Sequence, residues 1–142
     1  DEYCMNQALI EAEKAFDAGE VPVGAVIVSG QQIIARAHNL TELLHDATAH
    51  AEMLALTAAF DYLGSKYLND CIMYVTIEPC AMCAGALAWT QIEHLWYAAR
   101  DPRKGYSNYS PEILHPETKV HAGLLAGEAS MLMSRFFKNI RK

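Results

Sequence analysis

Four residues have types and spacing suited to chemistry at a metal ion: one histidine, one glutamate and two cysteines. His50 and Glu52 stand two residues apart in T-A-H-A-E-M-L-A-L, and Cys80 and Cys83 stand three apart in E-P-C-A-M-C. Imidazole nitrogen and thiolate sulfur are ligands that Zn²⁺ prefers. A lone histidine in a helix is more often structural than a ligand, so only the combination of the two segments is informative.

His50, Cys80 and Cys83 would give three ligands, one fewer than a structural zinc site takes. The sequence contains no second Cys-x-x-Cys or His-x-x-x-His pair that would supply a fourth. Three ligands leave one position for water, whose pKa zinc lowers from about 15.7 to about 7. We therefore predict one catalytic zinc per chain, with Glu52 taking and returning the protons of that water. Glu52 as a fourth ligand is the competing interpretation.

Two further interpretations of the cysteines stay open at this point. A Cys-x-x-Cys pair at the start of a helix is also how thioredoxin-like proteins present a dithiol, although nothing else in this chain favours that chemistry. A binding module with a structural zinc and an inert Glu52 is the other alternative.

Local sequence patterns place the candidate ligands at the starts of two helices. Leu, Met and Ala around His50 favour a buried helix that opens near this residue. Pro79 suits the first position of a second helix, because its missing N–H needs no partner there. Cys80 and Cys83 then share one face of the first turn, where the helix dipole favours thiolates.

Apolar periodicity and turn residues predict the remaining elements. In chain order they are a helix over 2–18, strands over 23–29 and 32–38 joined at Gly30-Gln31, a loop over 39–49, the His50 helix, a strand over 72–77, a helix over 80–91, a strand over 94–98, a loop over 100–119 and a last helix from about 123. Helical spacing puts Leu125, Leu132, Phe136 and Ile140 on one face of the last helix. Strand, helix and strand in succession imply a parallel crossover and an α/β fold.

Composition limits the class of protein. A chain of 142 residues suits one domain over 1–142,. It has no apolar run of about eighteen residues and opens without a signal-peptide pattern, so we expect no membrane partner. Four scattered cysteines suit the reducing cytoplasm better than a secreted disulfide framework. The net charge of −6 argues against indiscriminate nucleic-acid binding, yet seven of the eleven Lys and Arg residues lie in 100–104 and 135–142,.

Longer motifs connect the chain to a known family. The chain contains E-V-P-V-G-A-V at 20–26, H-D-A-T-A-H-A-E at 45–52, Y-V-T-I-E-P-C-A-M-C-A-G-A at 74–86 and A-R-D at 99–101. With H-A-E and P-C-x-x-C, these motifs resemble the bacterial tRNA-specific adenosine deaminases of the cytidine/deoxycytidylate deaminase superfamily. The resemblance covers nearly the whole chain.

This resemblance implies a three-layer cytidine-deaminase-like fold, with a mixed five-stranded sheet and helices on both faces. It implies a homodimer that deaminates adenosine to inosine at the wobble position of the tRNA anticodon stem-loop. It also implies that His50, Cys80 and Cys83 are the Zn²⁺ ligands and that Glu52 is the proton shuttle. Substrate contacts are implied for Val23, Gly24, Ala25, Asn39, Ala51, Arg100, Asp101 and Phe137.

Several residues keep two interpretations. Arg100 and Asp101 could contact phosphate and base or form an ordinary surface ion pair. Glu78 could orient the zinc ligands or favour the start of the helix. Phe136 belongs to the core by its spacing, which makes Phe137 the candidate for stacking on a base. The segment 103–116 departs from the family pattern and carries two tyrosines, Tyr106 and Tyr109, as further stacking candidates.

The main functional alternative lies within the enzyme class. Guanine deaminases and deaminases of cytosine or free nucleosides share the zinc motif, and the acidic net charge suits a small substrate at least as well as RNA. Asn39, the A-R-D motif and the basic, aromatic end of the chain favour an RNA substrate instead.

Overall fold

Five strands form the centre of the protein, whose computed structural model describes residues 1–140. They are β1 (Gly24–Ser29), β2 (Gln32–His38), β3 (Cys71–Ile77), β4 (His94–Ala99) and β5 (Lys119–Ala122). The strands form one sheet in the order β2-β1-β3-β4-β5. β1 is antiparallel to β2 and β3, whereas β4 is parallel to β3 and β5. The predicted hairpin, the parallel crossover and the mixed five-stranded sheet are confirmed.

Four helices cover the two faces of this sheet. They are α1 (Glu2–Asp17), α2 (Ala51–Leu63), α3 (Ala81–Thr90) and α4 (Ala126–Ile140). Buried residues of α2 and α3 form one apolar cluster with the sheet, and α1 and α4 contribute to a second cluster on the opposite face. This arrangement confirms the predicted three-layer fold. Within residues 1–140, no helix has the length and apolar character needed to cross a membrane.

The interior strand β1 contains a β-branched run that is buried on both faces of the sheet. Ala25 and Ile27 pack in the cluster under α2 and α3, while Val26 and Val28 pack in the cluster under α1 and α4. Successive side chains of a strand point to opposite faces, so a continuous apolar run suits a sheet covered on both sides.

Two parts of the sequence-based prediction were wrong. The strand β5 was not predicted, because it has only four residues and these are mostly exposed. The last helix begins at Ala126 rather than near 123, because Gly123 (φ 104°) and Leu125 (φ 59°) form a left-handed turn before it. Leu125 therefore precedes the helix and Ile140 is exposed, so the buried face is formed by Ala129, Leu132 and Phe136.

Candidate metal centre and active-site cavity

The three candidate metal ligands lie where two helices begin. His50 is the N-cap residue of α2 (φ −74°, ψ 152°) and Cys80 is the N-cap residue of α3 (φ −72°, ψ 173°). Cys83 follows in the first turns of α3 and is fully buried. Extended N-cap backbone makes each helix begin one residue later than predicted, so Pro79 precedes the N-cap instead of occupying the first helical position,.

The distances between the ligand atoms fit a tetrahedral metal ion. Nδ1 of His50 lies 3.7 Å from Sγ of Cys80 and 3.6 Å from Sγ of Cys83. Zinc bonds of about 2.0–2.1 Å to nitrogen and about 2.3 Å to sulfur place tetrahedral N and S ligands roughly 3.6 Å apart. Among residues 1–140, these three form the one cluster of at least three His, Cys, Asp or Glu ligand atoms, all within 4.8 Å of one another. The sequence thus predicted a set of residues that can hold a metal ion.

The electrostatics of this cluster favour a thiolate at Cys80. Hydrogen bonding from Cys83, followed by hydrogen bonding from His50, lowers the pKa of Cys80 to about 4. The same hydrogen bond, together with burial, raises the pKa of Cys83. Hydrogen bonding with Cys80 raises the pKa of His50. Protons shared within such a cluster are released when a metal ion binds.

Glu52 lies beside the ligands in the first turn of α2. Its side chain is buried, and burial raises the pKa of the carboxyl group to about 7. A carboxyl group that titrates near neutral pH can both accept and donate a proton. The arrangement therefore places a carboxyl group suited to proton transfer next to the candidate metal ligands.

These groups open into a cavity of about 420 Å³. His50, Glu52 and Cys80 line it together with five of the predicted substrate residues, namely Val23, Asn39, Ala51, Asp101 and Phe137. Their contacts with a substrate stay predictions. The volume is within the range of small-ligand sites, and it suits one nucleotide better than a duplex.

The other three predicted substrate residues lie outside the cavity lining. Gly24 packs against α1 so closely that a Cβ there would lie 2.0 Å from the carbonyl oxygen of Ala8. Ala25 is fully buried in the core beneath α2. Arg100 is exposed, and Arg103 and Lys104 line the cavity in its place.

Sequence analysis missed a buried glutamate that holds one wall of the cavity. Glu20 precedes β1, and its carboxylate accepts hydrogen bonds from the backbone N–H groups of Glu42 (3.0 Å) and Leu43 (2.8 Å). These bonds fix the loop that carries Asn39 and Thr41, both of which line the cavity. The bonded residues are more than twenty positions apart, so no local pattern could reveal the contact.

The C-terminal helix brings one aromatic side chain to the cavity. Phe136 is 7 % exposed and packs in the core, whereas Phe137 is 42 % exposed and lines the cavity together with Met133. Arg135 points elsewhere, with its guanidinium 5.1 Å from the centre of the Phe16 ring. Arg141 and Lys142, which belong to the basic end of the chain, fall outside the described residues.

Comparison with known proteins agrees with this geometry. The three-layer architecture is that of the cytidine-deaminase-like fold. Enzymes of that class remove amino groups from nucleobases by hydrolysis. A family model described as MafB19-like deaminase matches residues 1–141. The chain belongs to this deaminase family and, within it, to the tRNA-specific adenosine deaminases.

Two similar sequences carry the name tRNA-specific adenosine deaminase. The protein from Rickettsia felis is 46 % identical over 146 residues, which cover 96 % of this chain and 100 % of the relative. The protein from Bacillus subtilis is 43 % identical over 147 residues, which cover 100 % of this chain and 91 % of the relative.

Two similar solved structures come from studies of deaminases that act on different substrates. A structure from a study of A-to-I editing by tRNA:A34 deaminases matches with a TM-score of 0.86 and 38 % identity, covering 93 % of this chain and 99 % of the other. A guanine deaminase from Nitrosomonas europaea matches with a TM-score of 0.84 and 26 % identity, covering 95 % of this chain and 83 % of the other.

Proposed function

We propose that this protein is a zinc-dependent cytoplasmic deaminase that converts adenosine to inosine at the wobble position of tRNA anticodons. The observation that carries the proposal is that exposed Phe137, Arg103 and Lys104 line the same cavity as His50 and Cys80. Single-stranded RNA offers bases that stack on aromatic rings and phosphates that attract cations. A free base needs neither contact. Four free cysteines suit the reducing cytoplasm, where tRNA is used,.

The proposed reaction replaces the amino group on C6 of adenine with oxygen. The oxygen of water bonds to C6, and the C6–N bond then breaks to release ammonia. Zinc held by His50, Cys80 and Cys83 would supply the lowered pKa of the water. Glu52 takes the two protons of that water in turn. It delivers one to N1 as the C6=N1 double bond opens, and the other to the departing amino nitrogen, so that C6 keeps the oxygen and N1 keeps a hydrogen. Asn39 and Val23 would hold the purine in the cavity.

The experiment that tests this function compares four substrates. The purified protein is incubated with an anticodon stem-loop carrying adenosine at the wobble position, and separately with free adenosine, guanine and cytosine. Inosine in the stem-loop is the expected product. Guanine deamination is the second candidate, favoured by the likeness to the Nitrosomonas europaea enzyme. Xanthine formation without inosine in RNA would therefore overturn the proposal.

The metal assignment predicts one zinc per chain, measured by elemental analysis of the purified protein. Cys80→Ser is expected to lose this zinc, because a hydroxyl is a poor substitute for a thiolate ligand. Cys71→Ser and Cys4→Ser are matched controls outside the ligand cluster and are expected to retain it. Equal zinc content in all three variants would contradict the assignment.

We also propose that a second copy of the chain covers an apolar face formed by α2, α3 and the residues after α2. This face exposes Trp89 (84 % exposed) and Tyr67, which line one groove between α2 and α3. Exposed apolar clusters of this kind mark interaction surfaces, and the family resemblance implies a homodimer. The residues do not line the cavity, so pairing through this face leaves the cavity open.

The proposed dimer predicts that Trp89→Glu yields a monomer, because a charge would have to be buried at the interface. Sedimentation velocity of the wild type and the variant measures the outcome. Met131→Glu is the matched control, since Met131 is also exposed but lies on α4 at the opposite face of the sheet. A wild type that is monomeric, or a dimer that survives Trp89→Glu, would contradict the proposal.

A further inference from the structure

Glu78 is a buried carboxylate with hydrogen-bond partners far along the chain. It follows β3 and precedes Pro79, yet it does not belong to the cluster of metal ligands. One oxygen accepts a bond from the backbone N–H of Asp101 (3.1 Å). The other accepts bonds from the backbone N–H (3.0 Å) and the hydroxyl (2.6 Å) of Ser107. The carboxylate thus binds the segment that follows β4 at two of its residues, Asp101 and Ser107.

The segment is packed against Glu78 without spare room. A Cβ added to Gly105 would lie 2.3 Å from Cδ of Glu78. The backbone N–H of Tyr106 donates to the carbonyl oxygen of Pro79 (2.9 Å), and Gly105 pairs with Cys80 in an isolated β-bridge. The ring of Tyr106 is buried, so this tyrosine is excluded as a stacking candidate. Glu78 and the backbone beside it therefore hold the segment at two places.

The held segment, residues 101–109, presents charge and an aromatic ring next to the cavity. The carboxylate of Asp101 accepts hydrogen bonds from the backbone N–H groups of Arg103 and Lys104, each at 3.0 Å. This turn exposes both cations, and both line the cavity. Tyr109 is 69 % exposed, and its hydroxyl donates to the carbonyl oxygen of Arg103 (2.6 Å). This hydrogen bond holds the ring beside the backbone of Arg103.

We propose that Glu78 is a positioning residue that holds the 101–109 segment as a contact surface for the nucleotides next to the reacting adenosine. Tyr109 stacks on a neighbouring base, and Arg103 and Lys104 contact phosphates. The inference rests on the proposed RNA substrate. It assigns to Glu78 a role in substrate affinity, different from the orientation of zinc ligands or the start of α3.

The test compares Glu78→Gln, Tyr109→Ala and the double variant for affinity towards the anticodon stem-loop. An amide at position 78 offers one acceptor oxygen and turns N–H donors towards the donors of the segment, which releases it. A stacked base makes Tyr109→Ala about 5- to 150-fold weaker in binding. Glu78→Gln is expected to lose at least as much affinity for the stem-loop. The change should appear mainly as a higher KM rather than a lower kcat, and the variant should retain its zinc.

Two readouts separate positioning from a general loss of stability. The double variant is expected to bind no more weakly than Glu78→Gln alone, because Tyr109 acts only while the segment is held. In Glu78→Gln, loss of the two phosphate contacts of Arg103 and Lys104 is expected to reduce the slope of log affinity against log salt concentration by about 1.4, at about 0.7 per contact. Glu11→Gln is the matched control, since Glu11 is also buried but binds Lys14 and His38 outside the cavity.

Each failure has a distinct meaning. Three results would overturn the inference: unchanged stem-loop affinity in Tyr109→Ala, additive losses of affinity in the double variant, or loss of zinc in Glu78→Gln. The proposed function would still stand in each case, provided that the wild type edits RNA. A wild type that edits no RNA would overturn the proposed function as well. If Glu78→Gln does not fold, Ser107→Ala removes the hydroxyl hydrogen bond alone and must weaken binding in the same direction.

Discussion

Replacing Glu52 by glutamine is expected to lower the rate of deamination by roughly 10²- to 10⁴-fold. The amide keeps the size of the side chain but cannot take up or return a proton. Glu52 is buried beside His50 and Cys80, where the reacting water would lie. The three proposed ligands His50, Cys80 and Cys83 are unchanged in this variant, so we expect it to retain one zinc per chain. Single-turnover kinetics and elemental analysis on the same preparation measure both quantities.

The matched control for this prediction is Glu11→Gln, a change of the same chemistry at another buried glutamate. Glu11 pairs with Lys14 and His38 and does not line the cavity. We expect it to deaminate at the wild-type rate. If Glu52→Gln is purified without metal, Glu52 is a ligand; if it keeps full activity, the proton shuttle is another group.

Replacing Phe137 by alanine is expected to weaken binding of the anticodon stem-loop by about 5- to 150-fold, because stacking of a base on an aromatic ring contributes about 1–3 kcal/mol. Phe137 is exposed at the cavity, whereas its neighbour Phe136 is packed in the core. The substitution therefore removes a surface ring and leaves the core intact. Fluorescence anisotropy with a labelled stem-loop measures the change.

Ile140→Ala is the control for this second prediction, because Ile140 is exposed on the same helix but does not line the cavity. Its affinity for RNA is expected to match that of the wild type. Equal affinities of wild type and Phe137→Ala would remove the aromatic contact from the proposed interface. A small substrate would then gain support over RNA.

Sequence patterns predicted those parts of the fold that depend on neighbouring residues. The β-branched runs gave β1 and β2 with nearly correct bounds, and helical spacing separated buried Phe136 from exposed Phe137. β5 was missed because its alternation of polar and apolar residues extends over only four positions, which are mostly exposed, too short a pattern to separate a strand from a loop,. Its position depends on pairing with β4, which is a property of the sheet and not of the segment.

The site was predicted unevenly for the same reason. Cys80 and Cys83 are close in sequence and could be recognised as a pair. Imidazole is also a preferred zinc ligand, so His50 could be added to the pair from its residue type. The roles of Glu20 and Glu78 depend on hydrogen bonds to loops more than twenty residues away. Gly24 was placed in the substrate pocket by resemblance, but its lack of a side chain serves close packing against α1.

The placement of His50 and Cys80 as N-cap residues ties the geometry of the proposed metal site to the packing of two helices. Both belong to helices whose buried faces pack in one apolar cluster with the sheet. In a zinc finger, folding and metal uptake are a single event, because no core exists without the ion. Here an apolar cluster packs α2 and α3 on the sheet, and this packing sets the distance between His50 and Cys80. A substitution in that cluster which shifts one helix against the other is therefore expected to change the affinity for the metal ion as well as the stability of the fold.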